Sequence, residues 1–211
     1  MAKFGLACEG ITDQIVLENI LCGFYKDYDD LDDEIIAFEP LRDATGKKQE
    51  ENSGGWTRLL TYLSESRFQD DVLNSEYTII QLDTDISDRE DFDVLKGTLT
   101  TEELITKVIE KLVEWVDTVF YKENREKIIF AISVHSLECW ILPLYKDLKK
   151  EKIMGCFETL QRESKKIKVV KEYNVYDKLT RDFTKYKDLM PIVAKNSSFT
   201  IFINSLPKDI S

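Results

Sequence analysis

Apolar residues along the chain come in short blocks, and most of these blocks are separated by segments of helical period. Lys3 to Cys8 reads as a strand buried on both faces. A helix follows from Thr12 or Asp13, with Ile15, Val16, Ile20 and Phe24 at helical spacing. Tyr28 to Glu34 is acidic and reads as a loop, and Glu34 to Leu41 as a second strand. Arg42 to Gly55, with three glycines and several charges, predicts a long loop. Trp56 to Phe68 is a helix whose apolar side is Trp56, Leu59, Leu60 and Leu63. Tyr77 to Leu82 is a third strand, and Asp83 to Gly97 an acidic loop. Thr100 and Glu103 have capping-box spacing for a helix running to about Phe120. Lys127 to Val134 is a fourth strand, and His135 to Tyr145 an apolar helix interrupted by Pro143. Short helices are expected around Lys149 to Glu163, Tyr173 to Phe183, Tyr186 to Ala194 and Phe199 to Leu206.

This alternation predicts an α/β fold. A mostly parallel sheet of about four strands would be flanked by helices, with a helical C-terminal extension. The domain would span 1–145, with a basic extension over 146–211 packed on it. Right-handed crossovers would bring the C-terminal ends of the first and third strands to one edge of the sheet.

Charge changes the picture because it is uneven. The chain holds 29 Lys and Arg against 40 Asp and Glu, a net charge of -11 that opposes nucleic-acid binding by bulk charge. Residues 145–195 nevertheless hold 14 basic and 8 acidic side chains, a local net of +6, and the remainder carries -17. A cation-holding part joined to a phosphate-holding part suits phosphodiester chemistry; a solvated basic helix surface is the plainer alternative. No apolar stretch is long enough to span a membrane. The N-terminal segment has no apolar signal-peptide core, so a cytoplasmic location is expected. Cys8, Cys22, Cys139 and Cys156 form no CxxC pair and sit among apolar residues, which predicts free buried thiols.

The candidate chemistry lies where strands end. Glu9 closes the first strand within Cys8-Glu9-Gly10-Ile11-Thr12-Asp13, and Asp13 stands where the next helix begins. Asp13 could serve only as a helix cap, but a carboxylate between Cys8 and Gly10 at the end of a buried strand needs a partner. Asp83 and Asp85 follow the third strand at positions i and i+2, which in an extended chain share a face. Carboxylates at that edge point into the crevice where open α/β sheets bind ligands. They would repel one another unless a divalent cation neutralised them, and hard oxygen donors suit Mg²⁺ or Mn²⁺.

Glu9 after one strand and Asp83-Thr84-Asp85 after a later one resemble the Toprim domain of primases, topoisomerases and OLD-type nucleases. Glu9-Gly10-Ile11-Thr12-Asp13 looks like the EGxxD variant of its nuclease members, and the resemblance covers roughly Lys3 to Val134. His135-Ser136-Leu137-Glu138-Cys139-Trp140-Ile141-Leu142 looks like a segment of RloB/AbiLii-type phage-defence proteins, with Leu137 in place of the usual Phe. The tail carrying Tyr176, Lys178, Lys195 and Asn196-Ser197-Ser198-Phe199 is similar in style. The resemblance implies a Toprim-like fold with Glu9, Asp13, Asp83 and Asp85 as ligands of Mg²⁺ or Mn²⁺. It makes Glu138 a further catalytic or orienting acid. Lys178 and Lys195 are candidate phosphate contacts, as other lysines could be.

The implied activity is a metal-dependent endonuclease acting on DNA, tRNA or another RNA in abortive infection, beside a separately encoded ATPase. The alternative is a non-catalytic Toprim-fold module docking on such a partner. Asp83-Thr84-Asp85-Ile86-Ser87 also fits the opening motif of haloacid-dehalogenase phosphatases, but it lies mid-chain without a convincing later acidic pair. There is no P-loop, GxGxxG or GxSxG motif.

Overall fold

The computed structural model describes residues 2–42, 55–90 and 92–210. Four parallel strands form one sheet in the order β2-β1-β3-β4, with β1 Ala2–Ala7, β2 Ile35–Glu39, β3 Ser75–Asp83 and β4 Ile128–Ser133. The parallel α/β sheet read from the alternating pattern is therefore observed. Both faces are covered, which explains the near-continuous apolar runs of the strands. Phe4, Leu6, Ile79 and Ile129 face one core, while Ala7, Ile80, Leu82 and Ile132 face the other.

α1 (Ile11–Phe24) lies in the first core with the C-terminal helices. α2 (Gly55–Leu63), α3 (Ser66–Leu73) and α4 (Thr101–Val116) build the second. Where one helix was expected over Trp56 to Phe68 there are two, because the chain turns at Ser64 and Glu65. The helix expected to reach Phe120 also breaks. Asp117 takes a left-handed φ of 76° and caps α5 (Thr118–Asn124) by accepting from the Val119 and Phe120 N–H groups. The Thr100–Glu103 capping box forms as its spacing predicts. Most of the loop expected over Arg42 to Gly55 lies outside the described residues.

α6 (Glu138–Ile141) is a single turn that runs into a 3-10 turn over Leu142–Leu144, where Pro143 stops the helix. After an irregular stretch come α7 (Cys156–Glu163), α8 (Tyr173–Thr180), α9 (Tyr186–Val193) and α10 (Ser197–Ser205). α7 begins seven residues later than its apolar pattern suggested. α1 is seated directly on the turn after α8: a Cβ on Gly23 would lie 1.8 Å from the Phe183 carbonyl oxygen. α10 is locked to the α6 turn by Ser198, whose Oγ accepts from Trp140 Nε1 (2.8 Å) and the Val134 N–H (3.3 Å). The Trp140 ring stacks on Phe199 at 4.6 Å.

The expectation of four free thiols is corrected. Cys139 and Cys156 form a disulfide with Cα atoms 5.1 Å apart, while Cys8 and Cys22 are free. Pro143 ends α6, the chain turns back, and α7 packs against α6 so that both sulfurs share one core. This proximity is tertiary, so spacing alone did not reveal it.

Candidate functional site

The parallel register sets the site. β1 and β3 are neighbours, so Glu9, just past the end of β1, stands beside the end of β3. The Glu9 carboxylate accepts from the Asp83 N–H (3.1 Å), and the Glu9 N–H donates to Gln81 Oε1 (3.3 Å). Gln81 Nε2 in turn donates to Asp83 Oδ1 at 3.0 Å. Asp83 pairs in register with Ser133 on β4, and Ser133 Oγ donates to the same Oδ1, as does the Leu137 N–H at 3.1 Å. Asp83 is thus a buried carboxylate, 8% exposed, fixed by three donors.

Asp85 corrects the expectation of two carboxylates side by side on an extended chain. β3 ends at Asp83 and Thr84–Ile86 is a 3-10 turn, so Asp83 is buried and Asp85 exposed. The turn is tied to His135. Thr84 Oγ1 accepts from the His135 N–H (2.7 Å), and the Asp85 N–H donates to the His135 carbonyl (3.0 Å). His135 itself has a left-handed φ of 69°, a conformation that costs a non-glycine residue energy and tends to occur at functional sites.

Asp13 enters from the first turn of α1, whose N-cap is Gly10. Glu138 enters from α6. It is 4% exposed, so a plain solvated acid is ruled out. Its Oε1 accepts from the Tyr176 hydroxyl of α8 at 2.5 Å and lies 3.8 Å from Lys171 Nζ. Gly55 brings the start of α2 against the same edge: a Cβ there would lie 2.5 Å from the Glu9 carbonyl oxygen.

Electrostatics show that the five acids form one group. Burial, then the charge of Asp13, pushes Glu9 from 4.5 up to about 8, against the pull of the Asp83 N–H. Burial, then Glu138, pushes Asp13 from 3.8 up to about 7, with Lys171 opposing. Burial holds Asp83 well above the usual carboxylate range, reinforced by Glu9, Asp13 and Glu138. Although Asp85 is exposed as a residue, partial desolvation of its carboxyl raises its pKa, while His135, Lys171 and Lys96 pull it down. The Lys171 ammonium is disfavoured by its own partial burial, but Glu138, Asp13, Asp83 and Asp85 outweigh this and raise its pKa.

Among the described residues carboxylates outnumber the cations at this edge, so the group is under electrostatic strain. Such a donor set of hard oxygens fits Mg²⁺ or Mn²⁺. Among the described residues no group of three or more His, Cys, Asp or Glu side chains is placed to hold a metal ion as it stands. Several of their oxygens are instead engaged by Asp83 N–H, Gln81, Ser133, Leu137 N–H and Tyr176.

Of the two lysines singled out from the sequence, Lys195 pairs with Asp147 at the surface (3.3 Å) and Lys178 is exposed in the last turn of α8. A lysine that does face the carboxylates is Lys171, in the connection before α8. Gln81, Ser133 and Lys171 escaped sequence reasoning, and Tyr176 enters it only as part of the tail, without a role. Only Gln81 and Ser133 left a signal, as polar residues inside or ending buried strands. Compared with known proteins, the chain matches no family model, no curated protein and no solved structure.

Proposed function

We propose that this protein is a metal-dependent nuclease of the Toprim type. The observation that carries the proposal is the gathering of Glu9, Asp13, Asp83, Asp85 and Glu138 at the C-terminal edge of a parallel sheet, where burial and neighbouring acids raise the pKa values of Glu9, Asp13, Asp83 and Asp85 beside Lys171. A structural role does not call for five carboxylates together, since buried like charges destabilise a fold. Glu9, Asp13, Asp83 and Asp85 would hold Mg²⁺ or Mn²⁺, with Glu138 beside them. A bound divalent cation would supply Lewis acidity toward a phosphate oxygen and an acidified water.

The protein's own groups would do the rest. Gln81 and Ser133 hold Asp83 in one orientation, and Tyr176 does the same for Glu138. Lys171 would place a positive charge against a phosphate oxygen. Lys165, Lys166 and Lys168 precede it on the same connection and would track the flanking backbone. By resemblance, the setting would be antiphage defence with a separate ATPase partner. The non-catalytic docking module remains the second reading, supported by the acidic surface outside residues 145–195.

The test is incubation with plasmid, single-stranded DNA and total tRNA in Mn²⁺, Mg²⁺ or EDTA. Cleavage of at least one substrate that stops in EDTA and in Asp83→Asn is expected. Intact substrates under all conditions would favour the docking module.

A further inference from the structure

The disulfide has a particular relation to the acidic edge. Cys139 directly follows Glu138 in α6, and Cys156 directly precedes Phe157 in α7. Lys171 Nζ lies 3.8 Å from Glu138 Oε1 and 5.7 Å from the Phe157 ring centre. The cross-link therefore joins the two elements between which the Lys171 ammonium is held. Residues 145–155 between them contain neither helix nor strand. The other ties on α7 include the Lys146–Glu163 ion pair (2.8 Å) and Gln161 Nε2 donating to the Val169 carbonyl (3.1 Å).

Ile153 and Met154, just before α7, are 42% and 64% exposed, and Gly155 takes a left-handed φ of 60°. Local opening starts most easily at such a weakly packed end, and it would admit a reagent to sulfurs that are otherwise buried. The cystine sits beside an ionisable cluster. This placement suits a reversible cross-link better than a purely structural one.

We propose that Cys139–Cys156 is a reversible redox site for dithiol reductants, whose oxidised form clamps Glu138 and Lys171 together. The proposal rests on the metal-site reading for its effect on cation binding, but not for the clamp itself. In the reducing step a thiolate of the dithiol attacks one cystine sulfur, the S–S bond breaks, and a mixed disulfide forms. The second thiol of the reagent then displaces the protein sulfur and closes its own disulfide. Two electrons pass from reagent to cystine, and the two protons of the dithiol end on the Cys139 and Cys156 thiols. Reduced α7 is released from α6, and Phe157 and Lys171 lose their fixed distance from Glu138.

The test compares protein purified without reductant, the same protein treated with dithiothreitol, and the Cys139→Ser/Cys156→Ser variant. In denaturant the untreated protein should show two thiols, Cys8 and Cys22, and the reduced protein all four. Hydrogen exchange should accelerate on reduction in residues 138–144 and 156–172 and stay unchanged in β1 and β3. Mn²⁺ affinity, read by thermal-shift titration, should rise, because a freed Lys171 ammonium no longer offsets the charge of the carboxylates. The double variant should match the reduced protein and ignore dithiothreitol, which separates the effect from Cys8 and Cys22. Four thiols before reduction, or exchange indifferent to reduction, would overturn the clamp. Redox-dependent exchange in a protein that never responds to Mn²⁺ would support the clamp and overturn the metal reading.

Discussion

Replacing Glu9 with Gln isolates the electrostatic strain on which the proposed site depends. The amide keeps the side chain's shape and an oxygen to accept from the Asp83 N–H at 3.1 Å, but it removes the charge. Burial and Asp13 raise the Glu9 carboxyl from 4.5 to about 8. The folded state therefore binds this proton more tightly than the unfolded chain does. Stability falls as pH rises from about 4.5 to about 8, and above that range the loss is complete. At roughly 1.4 kcal/mol per pH unit the full rise corresponds to ~5 kcal/mol. Asp13 carries part of the same repulsion, and protonating either acid relieves the other, so one substitution recovers on the order of 2 kcal/mol. Urea unfolding in EDTA should find Glu9→Gln more stable than wild type by about that amount at pH 8.5 and nearly equal to it at pH 4.5. Equal stability at both pH values, or a variant weaker at pH 8.5, would refute the argument that these carboxylates are held together against their repulsion.

Other substitutions probe single links of the account. Gly23→Ala must push a Cβ into the Phe183 carbonyl, a backbone contact that cannot rotate away, and urea unfolding should show a loss of about 1–3 kcal/mol. Thr100→Ala removes the capping box of α4 and should cost about 1 kcal/mol in the same assay. Lys171→Met should weaken nucleic-acid binding by fluorescence anisotropy and flatten the salt dependence by about one unit of slope, with Lys165→Gln/Lys166→Gln/Lys168→Gln flattening it further. An unchanged slope in both would show that the backbone is tracked by another face.

The parts of the fold visible in the sequence were those set by local pattern. The runs ending at Ala7, Leu82 and Val134 announce strands buried on both faces, and their alternation with helical segments dictates parallel pairing. Because β1 and β3 are neighbours, Glu9 and Asp83 meet as their positions at strand ends suggested. What escaped depends on contacts distant in sequence. Lys171 reaches the acids only because the connection after α7 folds back over α6, and nothing near it in sequence distinguishes it from Lys178. The hydroxyl of Tyr176 finds Glu138 across 38 positions, and Cys156 finds Cys139 only after the chain reverses at Pro143. The left-handed backbone of Asp117, which splits one expected helix in two, is invisible to a 3.6-residue period. The 3-10 turn after Asp83 likewise overrides the two-residue alternation that placed Asp83 and Asp85 on one face.

The central claim is that these carboxylates hold a divalent cation, and Mn²⁺ binding followed by electron paramagnetic resonance of the free ion tests it most directly. Wild type should remove Mn²⁺ from solution saturably, Asp83→Ala/Asp85→Ala should not, and Thr100→Ala should bind as wild type does. Wild type that leaves the free Mn²⁺ signal unchanged at millimolar concentration, or a double variant that binds equally well, would contradict the account.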